Sequence, residues 1–401
     1  MDTRELDVAT LRKATPALPG LVHFNAASSG LLPQEVAEVL QQHLALELRG
    51  ATHEAGVEVA ELLEDARDEA AWLIGASAPE IAFTSSNTEA WNMAFLALPP
   101  LRPGDRLLVG GSEWGGNLLT LQAEATRAGA RLERIPELAD GRMDISGLAG
   151  MIDERVRLIA VTWVGAHLGY AAPVAAIGRI ARARGVPYFV DAAQAVGVLP
   201  VDVARIGCDV LTAAGRKALR GPKGTGLLYV REGVLEQLTP RALNLRAASL
   251  SAGEVVLRRD SARFETGEFS PALRLGLGAA MRLANQLGPE AIAAVVLERT
   301  TALRLALAEV PGLVLRETGP AESHITTFHH PAITPQQLQQ ALRLRNITVN
   351  AVAHAYAPFA TLEMPQGAVC RASVSYLTTD EEIARFAEAL TCVLDPLTAR
   401  S

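Results

Sequence analysis

The feature that most constrains this chain is the rhythm of its middle, where short apolar β-rich runs alternate with helical stretches. Ile81-Ala82-Phe83 predicts a strand, followed by the polar turn Thr84-Ser85-Ser86-Asn87 and a helix from Thr88 to Leu98. Further strands are expected over Arg106–Val109, Leu132–Ile135, Val156–Val161, Tyr188–Val190, Asp209–Thr212 and Gly226–Val230, with helices over Asn117–Ala128 and Val174–Arg184. Strands that are apolar on both faces and separated by helices imply an α/β fold with a mostly parallel, helix-covered sheet. After about residue 275 the texture changes. Helices over Pro289–Glu309, Pro335–Leu344 and Thr379–Leu394 mix with strands over Leu313–Arg316, Ile325–His329 and Val369–Val374. This predicts a large domain over 19–274 and a smaller α+β domain over 275–401, with residues 1–18 packed on the latter.

Composition closes several alternatives. A hydrophobic content of 49% is ample for a core and excludes a disordered chain. The net charge of -7 argues against nucleic-acid binding, which needs a surplus of Lys and Arg along phosphates. Cys208, Cys370 and Cys392 lie far apart without CxxC or Cys/His spacing, so neither a metal site nor a disulfide framework is expected. The charged start Met1–Asp7 lacks the apolar core of a secretion signal. Leu158–Gly178 carries no Asp, Glu, Lys or Arg and is long enough to span a bilayer, but Gly165, His167, Gly169 and Pro173 break it. A strand, a turn and a helix start explain it better. The expectation is a cytoplasmic protein with no membrane partner.

In an open parallel sheet, ligands bind beyond the carboxyl ends of the strands. That rule selects Ser85–Thr88, Glu113–Gly115, Asp191–Gln194 and Ala213–Lys217. The first opens a helix, where free N–H groups and the helix dipole favour a phosphate; taken alone, an ordinary helix cap is the better reading there. No GxxxxGK[ST] run exists, and Gly221–Gly226 precedes a strand, which is the wrong context for a dinucleotide fingerprint. Asp191 follows Tyr188-Phe189-Val190, and a carboxylate at a buried strand end needs a cationic or hydrogen-bonding partner. Lys217 stands among Gly and Ala after the next strand, where desolvation frees an amine for Schiff-base chemistry. A solvated surface lysine is the commoner role for any single Lys. An Asp and a Lys on consecutive strand ends, beside a phosphate-ready helix start, are together the groups that pyridoxal phosphate needs.

At these motifs the chain resembles the class V aminotransferase group of fold-type I pyridoxal-phosphate enzymes. That group includes cysteine desulfurases, selenocysteine lyases, kynureninases and isopenicillin-N epimerase-like proteins. The resemblance runs from His23-Phe24-Asn25-Ala26-Ala27-Ser28 to Arg371-Ala372-Ser373-Val374, and is strongest at Asp191-Ala192-Ala193-Gln194 with Gly215-Arg216-Lys217-Ala218-Leu219-Arg220-Gly221-Pro222. It implies that Lys217 holds the cofactor and later moves the α-proton. Asp191 would keep the pyridine nitrogen protonated, Gln194 would bond the ring hydroxyl, and Asn87, Thr88 and Arg216 would hold the phosphate. Trp114 would stack on the ring where most relatives carry His. Arg371 would grip the substrate carboxylate, with Asn25, Ser28, Ser29 and His354 as further pocket candidates. It also implies a homodimer.

Departures from the family pattern bear on the reaction. Ala355, in the Val349–Ala355 segment, occupies the position of the desulfurase nucleophile, so persulfide formation at an enzyme thiolate is not expected. Ala214 replaces a phosphate-binding Ser. Ala166, beside His167, replaces an Asn near the ring hydroxyl. Gly267-Glu268 stands where relatives lend Gly-Thr across the dimer, and Glu268 is expected to turn from the phosphate toward substrate or Arg216. The expectation is an enzyme acting on an α-amino acid through an external aldimine and Cα-proton abstraction, of aminotransferase or epimerase type. The alternative is a β-eliminating C–S lyase without a persulfide cysteine, and a distant one is a nicotinamide-dependent dehydrogenase.

Overall fold

The structure is a computed structural model that describes residues 6–360, 364 and 367–398; residues 1–5, the charged start of the chain, lie outside the described residues. The first strands are β1 (Val22–His23), β2 (Ile81–Thr84), β3 (Arg106–Val109), β4 (Arg131–Arg134), β5 (Val156–Thr162), β6 (Tyr188–Asp191), β7 (Val210–Ala214) and β8 (Gly226–Val230). All but β1 form one seven-stranded sheet, in the order β2-β8-β7-β6-β5-β3-β4. Neighbours are parallel except at β8, which runs antiparallel to both β2 and β7. The sheet is therefore mostly parallel, as its sequence implied.

Successive side chains on a strand point to opposite faces, so burial of both faces demands an unbroken apolar run. Ile159, Val161, Tyr188, Val190, Leu211 and Leu227 enter one core, and Leu158, Ala160, Phe189, Val210 and Leu228 enter the other. Because β8 is reversed, its first residue, Gly226, lies opposite the last residues of its neighbours, Thr84 and Ala214. That reversal brings Lys223–Thr225 to the rim where the other strands end. Leu158–Gly178 resolves into the rest of β5, an irregular loop and the start of the helix Val174–Arg184. Among the described residues no helix is long and apolar enough to cross a membrane.

Two strands, β9 (Ala248–Ser251) and β10 (Glu254–Leu257), make a hairpin that the alternation did not reveal. Near the chain's end come β11 (Val314–Leu315), β12 (Ile325–His329), β13 (Ile347–Thr348), β14 (Asn350–Ala353) and β15 (Ala368–Ser373). Four of these form an antiparallel sheet in the order β11-β12-β15-β14. The segment Val349–Ala355 thus contains a strand, which the alternation did not reveal. Its small residues lower β-propensity, but pairing with β15 overrides this.

The N-terminal stretch lies against C-terminal elements. β1 pairs parallel with β13, Asn25 bridges to Ser373, and Arg12 forks onto Glu382 at 2.9 and 3.0 Å. The helix Pro271–Leu287 runs through the boundary expected at 274/275 and packs on the helices Gln34–Glu47 and Ala60–Ile74. A division inside one helix would split a continuous hydrogen-bond ladder. We therefore propose the division after Leu287, with the chain up to Asn25 joined to the smaller unit. The helix Pro271–Leu287 is also held by charge. Glu265, without solvent exposure, accepts Arg67 Nη1 at 2.9 Å, Arg246 Nε at 2.7 Å and Arg274 Nη1 at 3.0 Å. Such pairing offsets the cost of burying a carboxylate.

Candidate active site

Most of the loops selected by the strand-end rule converge on one cavity of about 460 Å³. Of the residues named from sequence, it brings together Ser28, Asn87, Thr88, Trp114, Asp191, Gln194, Arg216, Lys217 and Arg371. Asp191 closes β6 and is 2% exposed. Its Oδ2 accepts Asn87 Nδ2 and Asn117 Nδ2, both at 2.9 Å, and its Oδ1 accepts the Ala193 N–H at 3.0 Å. These bonds fix the carboxylate's orientation toward whatever fills the cavity.

Asn87 opens the helix Asn87–Leu96, whose N-cap Ser86 accepts the Glu89 N–H at 3.1 Å. The N–H groups of Asn87 and Thr88 have no acceptor within the helix and stand at the positive end of its dipole. This rim closes tightly on β8, since a Cβ on Gly226 would lie 2.4 Å from the Ser86 carbonyl carbon. Lys217 follows β7 through Gly215, where a Cβ would stand 2.1 Å from Thr225 Oγ1. Its ammonium lies 6.0 Å from the centre of the Trp114 ring. Burial pushes the Lys217 amine down to about 8; Asp191 opposes this, while Arg371 and Arg216 add to it. Arg371, in the middle of β15, donates from Nη1 to Ala166 O at 3.0 Å and from Nη2 to Ser28 Oγ at 2.7 Å. Burial lowers its guanidinium to about 10.

Some expectations change. Arg216 lines the cavity, and its Nη1 donates to the Ser28 carbonyl. Asn25 does not line the cavity; its backbone is occupied with Ser373, and its Oδ1 is buried without a partner. His354 is exposed at the start of a short turn and also lies off the cavity lining. Ser29 and Glu268 are exposed and outside the lining, so Glu268 does not face Arg216 through this cavity. Trp114 stacks on Tyr356, with ring centres 5.2 Å apart and planes within 10°. Among the described residues, no cluster of His, Cys, Asp and Glu could hold a metal.

Several site residues escaped the sequence reading. Asn117 Nδ2 also donates to Glu113 Oε1 at 2.7 Å, so one amide bridges Glu113 and Asp191. Burial, helped by Asp191, raises the Glu113 carboxyl to about 7. Asn117 lies on the first turn of the helix Gly115–Ala128, so a one-turn offset from Trp114 was the available signal. Asn350, Tyr356 and Lys223 also line the cavity. Only the fold's return of β14 and the reversal of β8 bring them there.

The residues fit pyridoxal phosphate. Asn87 Oδ1, Gln194 Oε1 and Arg371 Nε are buried without a partner, as expected of groups awaiting a polar ligand. Four cations line the cavity, Arg216, Lys217, Lys223 and Arg371, against the single carboxylate of Asp191. Because only the neutral amine attacks a carbonyl, capture of pyridoxal phosphate by the apo chain is expected to accelerate by about tenfold per pH unit up to about 8 and then level. Stopped-flow absorbance measures this; a rate still climbing toward pH 10.5 would show an unperturbed lysine.

Comparison with known proteins agrees. The chain matches the family described as Aminotransferase class-V over residues 22–386. It belongs to that family and is a pyridoxal-phosphate-dependent enzyme of the class V fold. A cysteine desulfurase of Escherichia coli (strain E2348/69) is 31% identical over 402 residues, covering 97% of each chain. A probable cysteine desulfurase of Xylella fastidiosa (strain 9a5c) is 30% identical over 384 residues, 92% of this chain and 90% of that one. The apo structure of a cysteine desulfurase from Thermococcus onnurineus superposes with a TM-score of 0.89 at 25% identity, covering 99% of this chain and all of that one.

Proposed function

We propose that this enzyme is a C–S lyase that expels sulfur from a cysteine-type α-amino acid by β-elimination, without passing it to an enzyme thiol. The observation that carries the second half is the absence of a thiol from the described cavity lining. Cys208 and Cys370 are fully buried, and burial raises the Cys370 thiol to about 12, far from a thiolate. Cys392 lies on the C-terminal helix, and the family resemblance puts Ala355 at the nucleophile's position. The desulfurase relatives support the C–S lyase half over the aminotransferase or epimerase reading, and membership of the class V family removes the dehydrogenase.

Bound pyridoxal phosphate supplies a carbonyl for the substrate amine and an electron-withdrawing ring. Lys217 would hold it and, as an amine near neutrality, would take the Cα proton. Asp191 would balance the charge of a protonated ring nitrogen. Gln194 would bond the ring hydroxyl, and Asn87 and Thr88 would hold the phosphate. Arg371, with Ser28 on its Nη2, seats the substrate carboxylate in a charge-assisted bond. Trp114 would wall the ring. Unpaired cysteines support a cytoplasmic location, and exposed Leu250, Val255 and Val256 on the β9–β10 hairpin support a homodimer.

The test is product analysis with L-cysteine. Pyruvate, ammonia and sulfide are expected in equal amounts. Alanine with sulfur retained on the protein, a keto acid still bearing its sulfur, or the D-isomer would each overturn the reading.

A further inference from the structure

Beside Asp191 lies a second buried carboxyl group, that of Glu113. It sits in the turn between β3 and the helix Gly115–Ala128, directly before Trp114, and is without solvent exposure. A fully buried carboxylate normally needs cations, as Glu265 shows with its three arginines. Glu113 bonds no cation among the described residues. Its Oε1 accepts Asn117 Nδ2 at 2.7 Å, and its Oε2 is buried without a hydrogen-bond partner.

Asn117, also unexposed, gives the same amide nitrogen to Asp191 Oδ2 at 2.9 Å. An amide oxygen in that place would face two acceptors, so the orientation of the amide is forced. Two carboxyl groups within bonding reach of one nitrogen do not both ionise readily in a buried place. The count of donors decides which of them keeps a proton. Asp191 receives three N–H groups, from Asn87, Asn117 and Ala193, and Glu113 receives one. Each such bond favours the charged form, so ionisation falls to Asp191. Burial first, and then the Asp191 charge, raises the Glu113 carboxyl to about 7. The groups that face it are Asp191 and the buried Tyr188 phenol from β6, Thr162 from β5, and Asn117 from the helix Gly115–Ala128. None of them is a cation.

We infer that Glu113 is a positioning residue that keeps its proton while Asp191 is ionised, so that one negative charge and not two faces the cofactor's ring nitrogen. Neutral Glu113 still accepts Asn117 through its carbonyl oxygen, and Asn117 in turn holds Asp191. This rests on pyridoxal phosphate filling the cavity and not on the elimination, since loss of the Cα proton sends electron density toward the Asp191 end of the site whatever follows. A second anion there would repel that density and slow the step.

Infrared difference spectra of the holoenzyme between about pH 6 and about pH 9 test the assignment. A carboxylic-acid C=O band is expected at the acid end, fading through about 7, and missing from Glu113→Gln. In Asp191→Asn, which removes the neighbouring charge, the same band should fade at lower pH. Exchange of the Cα hydrogen of L-alanine with deuterated water, followed by proton NMR, reads the effect on chemistry. The ratio of the Glu113→Gln rate to the wild-type rate is expected to rise about tenfold from the acid to the alkaline end, because only the wild type gains the second anion. A wild type without the band, or a band that survives in Glu113→Gln, overturns the assignment. A flat ratio overturns the positioning role, because a merely structural side chain acts alike at every pH. Neither readout involves sulfur release, so failure of the elimination reading would show separately, in the products from L-cysteine.

Discussion

Lys217→Ala is expected to lower turnover by about 10⁴-fold or more while leaving the fold intact. Two contributions disappear together, the covalent anchor for the cofactor and the base that takes the Cα proton, and a positioned base alone is worth about 10²–10⁴. The fold should not suffer. Burial disfavours the charged amine by more than Asp191 favours it, and Arg371 and Arg216 repel it; its ring contact is Trp114 at 6.0 Å. Removing such a group takes a cost out of the folded state. Steady-state kinetics and a thermal melt of the apo chain check both halves. A variant that keeps a tenth of the activity would place the essential amine elsewhere, and Lys223 on the same rim is the available substitute.

Asp191→Asn is expected to lower turnover by about 10²–10³-fold, the scale of removing one fixed electrostatic contact from an enclosed site. The substitution keeps size and removes charge, but it also breaks local geometry. Asp191 receives three N–H donors, two on Oδ2 and one on Oδ1. An amide has only one acceptor oxygen, so at least one of Asn87, Asn117 and Ala193 must face an NH₂ group. Loss of the Asp191 charge should also let the Glu113 carboxyl ionise more readily, since Asp191 is one cause of its rise. Kinetics with the cofactor retained separates this from simple cofactor loss. Activity within threefold of wild type would show that the ring nitrogen needs no anion here.

Much of this site is legible in the sequence because strand ends are legible. Asp191 and Lys217 each terminate a run apolar enough to be a buried strand, and in a parallel sheet such ends share one rim. The same rule accounts for Asn87, Thr88 and Trp114. What the rule misses depends on topology rather than pattern. Nothing in Gly226–Val230 announces that β8 runs against its neighbours, yet that reversal delivers Lys223 to the cavity. Tyr356 and Asn350 arrive because β14 pairs with β15, and Asn350 lies opposite Arg371 in that register. His354 falls in the turn after β14 and Asn25 on a backbone bridge to Ser373, and both lie off the cavity lining. The early helices Gln34–Glu47 and Ala60–Ile74 pack on Pro271–Leu287, and that helix is continuous across the boundary expected at 274/275.

The most direct test of the central claim is to reduce the holoenzyme with borohydride and locate the modified peptide by mass spectrometry. The account predicts a single phosphopyridoxyl group on Lys217. A label on Lys223, or none on either lysine, would contradict it.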